Sequence, residues 1–177
     1  LAEVNPALAK EWHPTKNEEL TPFDLTTGSN KKVWWKCPKG DDHEWEISPS
    51  SRFWGNTGCP VCTNKLIVKS NCLATTHPKI AQEWHLKRNN LTPKDISCGS
   101  DKKVWWKCDK GENHEWKTSV HERVNGRDCP ICKSLLTLNP SLAGEWHPTK
   151  NGKLMPIEVT PGSSKKIWWQ CDKGGDH

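Results

Sequence analysis

Eight residues of this chain have the types and spacing of two metal sites. Cys37 and His43 stand with five residues between them, and Cys59-Pro60-Val61-Cys62 begins after a further fifteen. Cys108 and His114 repeat the first spacing, and Cys129-Pro130-Ile131-Cys132 begins after a further fourteen. Three thiols and one imidazole per set are the ligands of a closed, tetrahedral zinc site. Soft thiolates with imidazole favour zinc over magnesium or calcium, and the histidine disfavours an iron–sulfur cluster. Four protein ligands leave no open position, so the expected role is structural rather than catalytic. Disulfides are the competing reading: the cysteines at 59, 62, 129 and 132 could pair in an oxidising compartment. Nine cysteines is an odd count for a pure disulfide framework. Two histidines recurring in register with the cysteines have no use in one. Cys72 and Cys98 fall outside the pattern and read as ordinary reduced thiols.

The elements that must hold these ligands repeat along the chain. Leu8-Ala9-Lys10-Glu11-Trp12-His13 returns as Ile80-Ala81-Gln82-Glu83-Trp84-His85 and as Leu142-Ala143-Gly144-Glu145-Trp146-His147. Lys31-Lys32-Val33-Trp34-Trp35-Lys36-Cys37 returns at Lys102–Cys108 and, with Ile167 and Gln170, at Lys165–Cys171. The two blocks keep their separation: Trp12 lies 25 positions before Cys37, Trp84 24 before Cys108 and Trp146 25 before Cys171. The expected organisation is a first zinc module at 1–62, a linker at 63–76 and a second module at 77–132. A shorter linker at 133–138 and a truncated third module at 139–177 follow. Within a module, Pro6, Pro78 or Pro140 suits the first turn of a helix, expected to run to the Glu-Trp-His block. Val33–Cys37 and 43–47 read as the two strands of a hairpin around the turn 38–42. Period two then places Val33, Trp35 and Cys37 on one face, and His43, Trp45 and Ile47 on one face of the partner. The fold class is small α+β zinc modules in tandem, each a short helix, a β-hairpin and a Cys-x-x-Cys knuckle. His13, His85 and His147 are expected to pack or cap at the helix end rather than ligate.

Composition agrees with small metal-held units. Only 33% of the 177 residues are hydrophobic, too few for one large core, yet twelve tryptophans argue against disorder. Tyr is absent and Phe occurs twice, so Trp carries the aromatic burial. A unit of about 55 residues has a marginal core. Structural zinc supplies roughly 10–16 kcal/mol of apparent binding free energy coupled to folding, comparable with a whole domain's stability of about 5–15 kcal/mol. No apolar run approaches about 18 residues, so no membrane span is expected, and no signal peptide is seen. The chain starts at Leu1 and stops at His177 inside a motif, so a longer parent is expected.

The combined string, from Pro-x-Leu-Ala-x-Glu-Trp-His through Gly-Ser-x-Lys-Lys-Val-Trp-Trp-Lys-Cys to His-Glu-Trp and Cys-Pro-x-Cys, resembles the DUF4379 probable zinc-ribbon or treble-clef zinc-finger family. The resemblance covers nearly the whole chain in three copies. It implies tandem treble-clef modules, some joined in other proteins to nuclease domains, with nucleic-acid binding the usual suggestion. It carries the family's zinc ligands onto Cys37, His43, Cys59 and Cys62, and onto Cys108, His114, Cys129 and Cys132. Cys171 and His177 match the first half of a third site. One Zn2+ per complete module is therefore expected, with a third half-site.

The surface is read separately, because a fold does not give a function. The formal charge is +5. Each full site gives up three thiol protons and gains two charges, so two zincs bring the total to +3. That is mild basicity, but its placement repeats. Lys31-Lys32, Lys102-Lys103 and Lys165-Lys166 each follow a Gly-Ser turn, whose backbone N–H groups could hold a phosphate beside the ammonium groups. Lys36, Lys107, Arg52 and Arg123 recur at matching points, and Trp54 has no counterpart in the second unit. The competing reading is a solvated set of strand ends. Trp35 belongs to the core; Trp34 packs under the Glu-Trp-His helix or stacks on an unpaired base. The expected function is recognition of nucleic acid, DNA first, as part of a larger nuclease-associated, viral or defence effector. A protein-interaction or assembly module is the alternative, with other domains of a larger chain or complex as partners. No carboxylate cluster or nucleophile–base pair recurs, so this segment is not expected to be an enzyme. Any catalytic domain would lie elsewhere in the parent. No small-molecule substrate and no membrane are expected, and free thiols suit a reducing intracellular compartment, whether cytoplasm, nucleus or virion.

Overall fold

The computed structural model describes residues 1–171, Lys173 and Gly174. The chain folds as two compact units. The first takes Leu1–Gln82 with Asn90–Ser100; the second takes Glu83–Asn89 and the chain from Asp101 on. No described helix is long and apolar enough to cross a membrane.

In the first unit a single helical turn, α1 (Pro6–Ala9), is started by Pro6 and capped by Asn5, whose side chain accepts the Leu8 N–H at 2.9 Å. The hairpin follows: β1 (Val33–Lys36) pairs antiparallel with β2 (Glu44–Ile47), Trp35 opposite Trp45 and Lys36 opposite Glu44. Alternation sends Val33, Trp35, Cys37 and Trp45 into the core, where they meet Leu1, Leu8, Cys59 and Val61. A short α2 (Pro49–Phe53), capped by Ser48, then leads to the Cys-Pro-Val-Cys knuckle.

The helix expected to run to Glu-Trp-His is shorter than that. After α1 the chain extends along the open edge of β1. Lys36 N donates to Glu11 O at 2.7 Å, His13 N donates to Trp34 O at 3.1 Å, and Trp12 bridges Trp35. This covers an edge that a two-stranded sheet would otherwise leave unpaired. Asn17 completes the cover: its Oδ1 accepts the Trp34 N–H at 2.7 Å and its Nδ2 donates to Trp34 O at 2.9 Å. Trp34 is therefore held by its backbone at this edge, not packed beneath a helix.

The second unit repeats the plan. β3 (Lys103–Lys107) pairs with β4 (Glu115–Ser119), and α5 (Val120–Val124) opens on a reciprocal cap between Ser119 and Glu122. Glu83, His85 and Asn89 cover the β3 edge through the same bonds. In the third copy His147 and Asn151 bond Trp168 likewise, and Trp146 bridges Trp169, with no strand assigned there among the described residues. Each copy also stacks its two tryptophans edge to face, at 5.6, 5.4 and 5.6 Å between centroids for Trp12–Trp35, Trp84–Trp106 and Trp146–Trp169. Such a pair contributes about 0.5–1.5 kcal/mol beyond its buried area.

The segments between the knuckles and the next prolines are structured. Residues 63–76 contain α3 (Leu73–Thr76), which runs into α4 (Pro78–Ala81). Residues 133–138 contain α6 (Leu135–Leu138), followed by α7 (Pro140–Gly144). Leu73 and Leu135 are buried, and Leu1 occupies the same place five residues before its proline. The backbone N of these leucines donates to Leu25 O for Leu1, Ile96 O for Leu73 and Val159 O for Leu135.

Candidate zinc centres

Cys37 and His43 are brought together by the hairpin itself. Cys37 N donates to His43 O at 2.9 Å, and His43 N donates back to Gly40 O at 3.2 Å. The turn must pass close to the imidazole. A Cβ on Gly40 would lie 2.6 Å from His43 Cδ2, and one on Gly111 2.7 Å from His114 Cδ2. Both turns therefore need glycine for space rather than for a left-handed backbone. The knuckle delivers the other two thiols from one tight loop.

The ligand atoms of each set, Cys37, His43, Cys59 and Cys62 in one and Cys108, His114, Cys129 and Cys132 in the other, lie within 4.8 Å of one another. Zn–S near 2.3 Å and Zn–N near 2.0–2.1 Å place tetrahedral neighbours about 3.8 Å (S to S) and about 3.5 Å (S to N) apart. Cys37 Sγ is 3.8 Å from Cys62 Sγ, and His43 Nδ1 is 3.4 Å from Cys62 Sγ and 3.8 Å from Cys59 Sγ. In the second set, Cys108 Sγ to Cys132 Sγ is 3.6 Å. His114 Nδ1 lies 3.4 Å from Cys108 Sγ and 3.3 Å from Cys132 Sγ. These are edges of a tetrahedron sized for zinc, with Nδ1 as the ligating nitrogen in both. The chemistry of the donors points the same way. Desolvation and the neighbouring thiols push Cys62 up to about 11 and Cys132 up to about 12. Although Cys62 is exposed as a residue, its sulfur faces the other ligands. Three thiolates become compatible in so small a space when a cation neutralises them.

Around each site a second set of contacts repeats. His13 is buried, and its Nδ1 accepts the N–H groups of Thr15 and Lys16 at 3.2 and 3.1 Å. Its Nε2 lies 3.0 Å from Glu44 Oε1, off a hydrogen-bond line. His85 caps Arg88 N and meets Glu115 at 3.0 Å, and His147 caps Thr149 and Lys150. These histidines close the turn after the edge segment and lie outside both tetrads. Lys16, His13 and Lys36 hold the Glu44 carboxyl down at about 2. Cys72 also lies outside: it is buried at the start of α3, its thiol donating to Lys69 O at 3.3 Å.

Of the residues expected on a basic surface, Lys31, Lys32, Lys102, Lys103, Lys107, Lys165 and Lys166 are exposed, Lys36 half-buried, and Trp54 is 72% exposed. Arg52 and Arg123 are corrections. Arg52 is 7% exposed; its guanidinium meets Glu11 at 2.5 Å, donates to Thr57 O, and lies over the rings of Trp35 and Trp45 at 5.2 and 5.1 Å. Arg123 forks onto Glu83 at 2.9 and 2.7 Å and reaches Asp128 at 3.3 Å. Both arginines tie α2 or α5 to the Glu-Trp-His segment and have no fork left for a phosphate. The Gly-Ser turns use part of their amides internally. Ser29 N donates to Thr26 O and Lys31 N to Ser29 Oγ, and Ser163 and Lys165 do the same with Thr160 and Ser163. These amides are spent inside the turn and are not free for a phosphate. Each outer tryptophan carries a cation over its ring: Lys16 over Trp34 at 4.5 Å, Arg88 over Trp105 at 3.6 Å and Lys150 over Trp168 at 5.1 Å.

Asn17, Asn89 and Asn151 have a sequence signal of their own: an asparagine stands five residues after each Trp of Glu-Trp-His. The buried leucine five residues before each proline was a second such signal. The family model for a probable treble-clef zinc-finger domain, DUF4379, matches residues 8–65, 80–135 and 142–177. The chain belongs to this family. Its zinc sites in DUF4379 modules one and two are the two tetrads above. Cys171 of the third copy is half-buried, whereas His177 lies outside the described residues. No curated protein matches the chain.

Proposed function

We propose that this array of treble-clef modules binds nucleic acid, DNA first, with zinc as scaffold and paired lysines as the contact. The observation that carries the reading is the exposure of Lys31-Lys32, Lys102-Lys103 and Lys165-Lys166 at the same point of every repeat, where each first strand begins or would begin. Ammonium groups repeated along a chain suit a phosphate backbone, and linked modules raise overall affinity by effective concentration. Trp54, exposed in the first module, adds a face on which an unpaired base can stack. With Arg52 and Arg123 committed inside the modules, the repeated contact rests on the lysines, point charges that favour backbone over base readout.

In this reading the segment positions and does not catalyse, and chemistry belongs to other parts of a longer parent. Cys171 and His177 supply two ligands of a third zinc site. Thiols of this kind suit a reducing compartment. The test is binding of the zinc-loaded chain to duplex and single-stranded DNA and RNA across a salt series. The expected result is affinity falling linearly on logarithmic axes, with a slope near −0.9 per phosphate contact on duplex DNA. Replacing Lys31, Lys32, Lys102 and Lys103 by Ala should flatten that slope. Affinity independent of salt would sink the reading and favour a protein partner, for which exposed Val4, Phe23 and Trp54 in the first module offer apolar contacts.

A further inference from the structure

The first zinc ligand histidine is held from behind by a residue of the segment between the modules. His43 Nδ1 faces the thiols, so with metal on Nδ1 the neutral ring carries its proton on Nε2. That nitrogen lies 3.3 Å from Ser70 Oγ. Ser70 is itself fixed: its N–H donates to Asp42 Oδ2 at 2.8 Å, and Asp42 Oδ1 stands 4.0 Å from the same imidazole nitrogen. The neighbouring Asn71 ties the segment to the knuckle. Its Nδ2 donates to Val61 O at 3.0 Å and to Leu66 O at 2.9 Å, and its Oδ1 accepts the Val68 N–H at 2.8 Å. Val68 packs on the first module's core. Residues 64–71 are thus a strap laid across the first site, bonded both to the loop that carries Cys59 and Cys62 and to the ring of His43.

The second site cannot have this strap. Ten positions separate Cys62 from Cys72 at the start of α3, but only two separate Cys132 from Ser134 at the start of α6. The eight residues that form the strap are missing. Asn113 replaces Asp42 in sequence, and His114 is half-buried where His43 is buried.

We propose that Ser70 is a positioning residue for the first zinc site, its hydroxyl accepting the Nε2 proton of His43 and fixing the ring for ligation through Nδ1. Partners of this kind set ring orientation and basicity, and their loss typically lowers metal affinity about 10–100-fold. Ser70 is exposed, so the low end of that range applies. The inference rests on the zinc centres and is independent of the nucleic-acid reading.

The experiment is a zinc competition titration of the full chain with a chelator of known affinity. The two sites are told apart in a Cys132→Ser variant, which weakens the second alone. Ser70→Ala should lower the affinity of the first site about tenfold and leave the second unchanged, with the far-ultraviolet circular dichroism of the loaded chain preserved. Ser70→Thr, which keeps the hydroxyl, should restore the affinity. An unchanged first site in Ser70→Ala overturns the proposal. So does a Ser70→Thr chain as weak as Ser70→Ala, because the effect would then belong to packing of the strap rather than to the hydroxyl.

Discussion

Gly40 shows how a metal site can depend on an atom that is absent. Its missing Cβ is the space into which the His43 ring fits, and Gly111 serves His114 in the same way. A methyl group there must move either the ring or the turn, and overpacking of this kind costs on the order of 1–3 kcal/mol. Gly40→Ala should therefore weaken zinc binding at the first site and leave the second intact, measured by metal competition; a first-site affinity unchanged from that of the parent chain would show that the ring yields freely. Arg52 makes the opposite case, a side chain whose charge is used inside the module. Arg52→Ala removes a near-buried partner from Glu11 and empties the space between two tryptophan rings. Because Glu11 is partly solvated, the expected loss is about 1–3 kcal/mol rather than the larger figure for a fully buried pair. Thermal unfolding should register it while the salt slope of DNA binding stays unchanged; a flatter slope would return Arg52 to the contact surface. The ligands were readable because zinc demands fixed residue types at fixed spacing. The fate of Arg52 was not, since nothing in the local sequence distinguishes a solvated arginine from one lying over the rings of Trp35 and Trp45.

At the scale of elements, each of the first two modules is built on a two-stranded hairpin that could not stand alone in water. The Glu-Trp-His segment supplies a third, irregular strand, and Asn17, Asn89 or Asn151 fastens its far end. Alternation in Val33–Cys37 made the hairpin and its buried face legible. In the edge segment, Pro6 and Leu-Ala favour a helix. Propensity is a weak prior over so few residues, and pairing with Trp34 and Lys36 outweighs it after a single turn. Asn17→Ala removes both bonds to the Trp34 backbone without touching the zinc ligands. A loss of about 1–3 kcal/mol is expected if the freed groups remain shielded. Faster amide exchange at Trp34, with the exchange of Trp45 unaltered, is the signature to measure, and unchanged exchange at Trp34 would mean that the asparagine only decorates the edge.

Across the whole molecule, the metal and the core are one structure. Two of the eight residues in the first buried cluster, Cys37 and Cys59, are themselves zinc ligands. Removing the ion therefore leaves thiols crowded in the middle of the packing and cuts the knuckle loose from the hairpin. With apolar residues so scarce, the tryptophan pairs alone cannot offset the conformational entropy of ordering the chain. Excess chelator should abolish the near-ultraviolet tryptophan dichroism, and DNA affinity should disappear over the same chelator range, with both returning on addition of zinc. Acid should act in the same direction. Three thiol protons must leave each site when zinc binds, whether the stripped chain is folded, with Cys62 near 11 and Cys132 near 12, or unfolded, with thiols near 8.5. Below those values each unit of falling pH should weaken binding by up to about three orders of magnitude. If the dichroism survived chelation while DNA binding vanished, zinc would be a contact element rather than a scaffold. If DNA binding survived while the dichroism vanished, the lysines would be acting as a charged chain, and the repeated geometry of the modules would have no part in recognition.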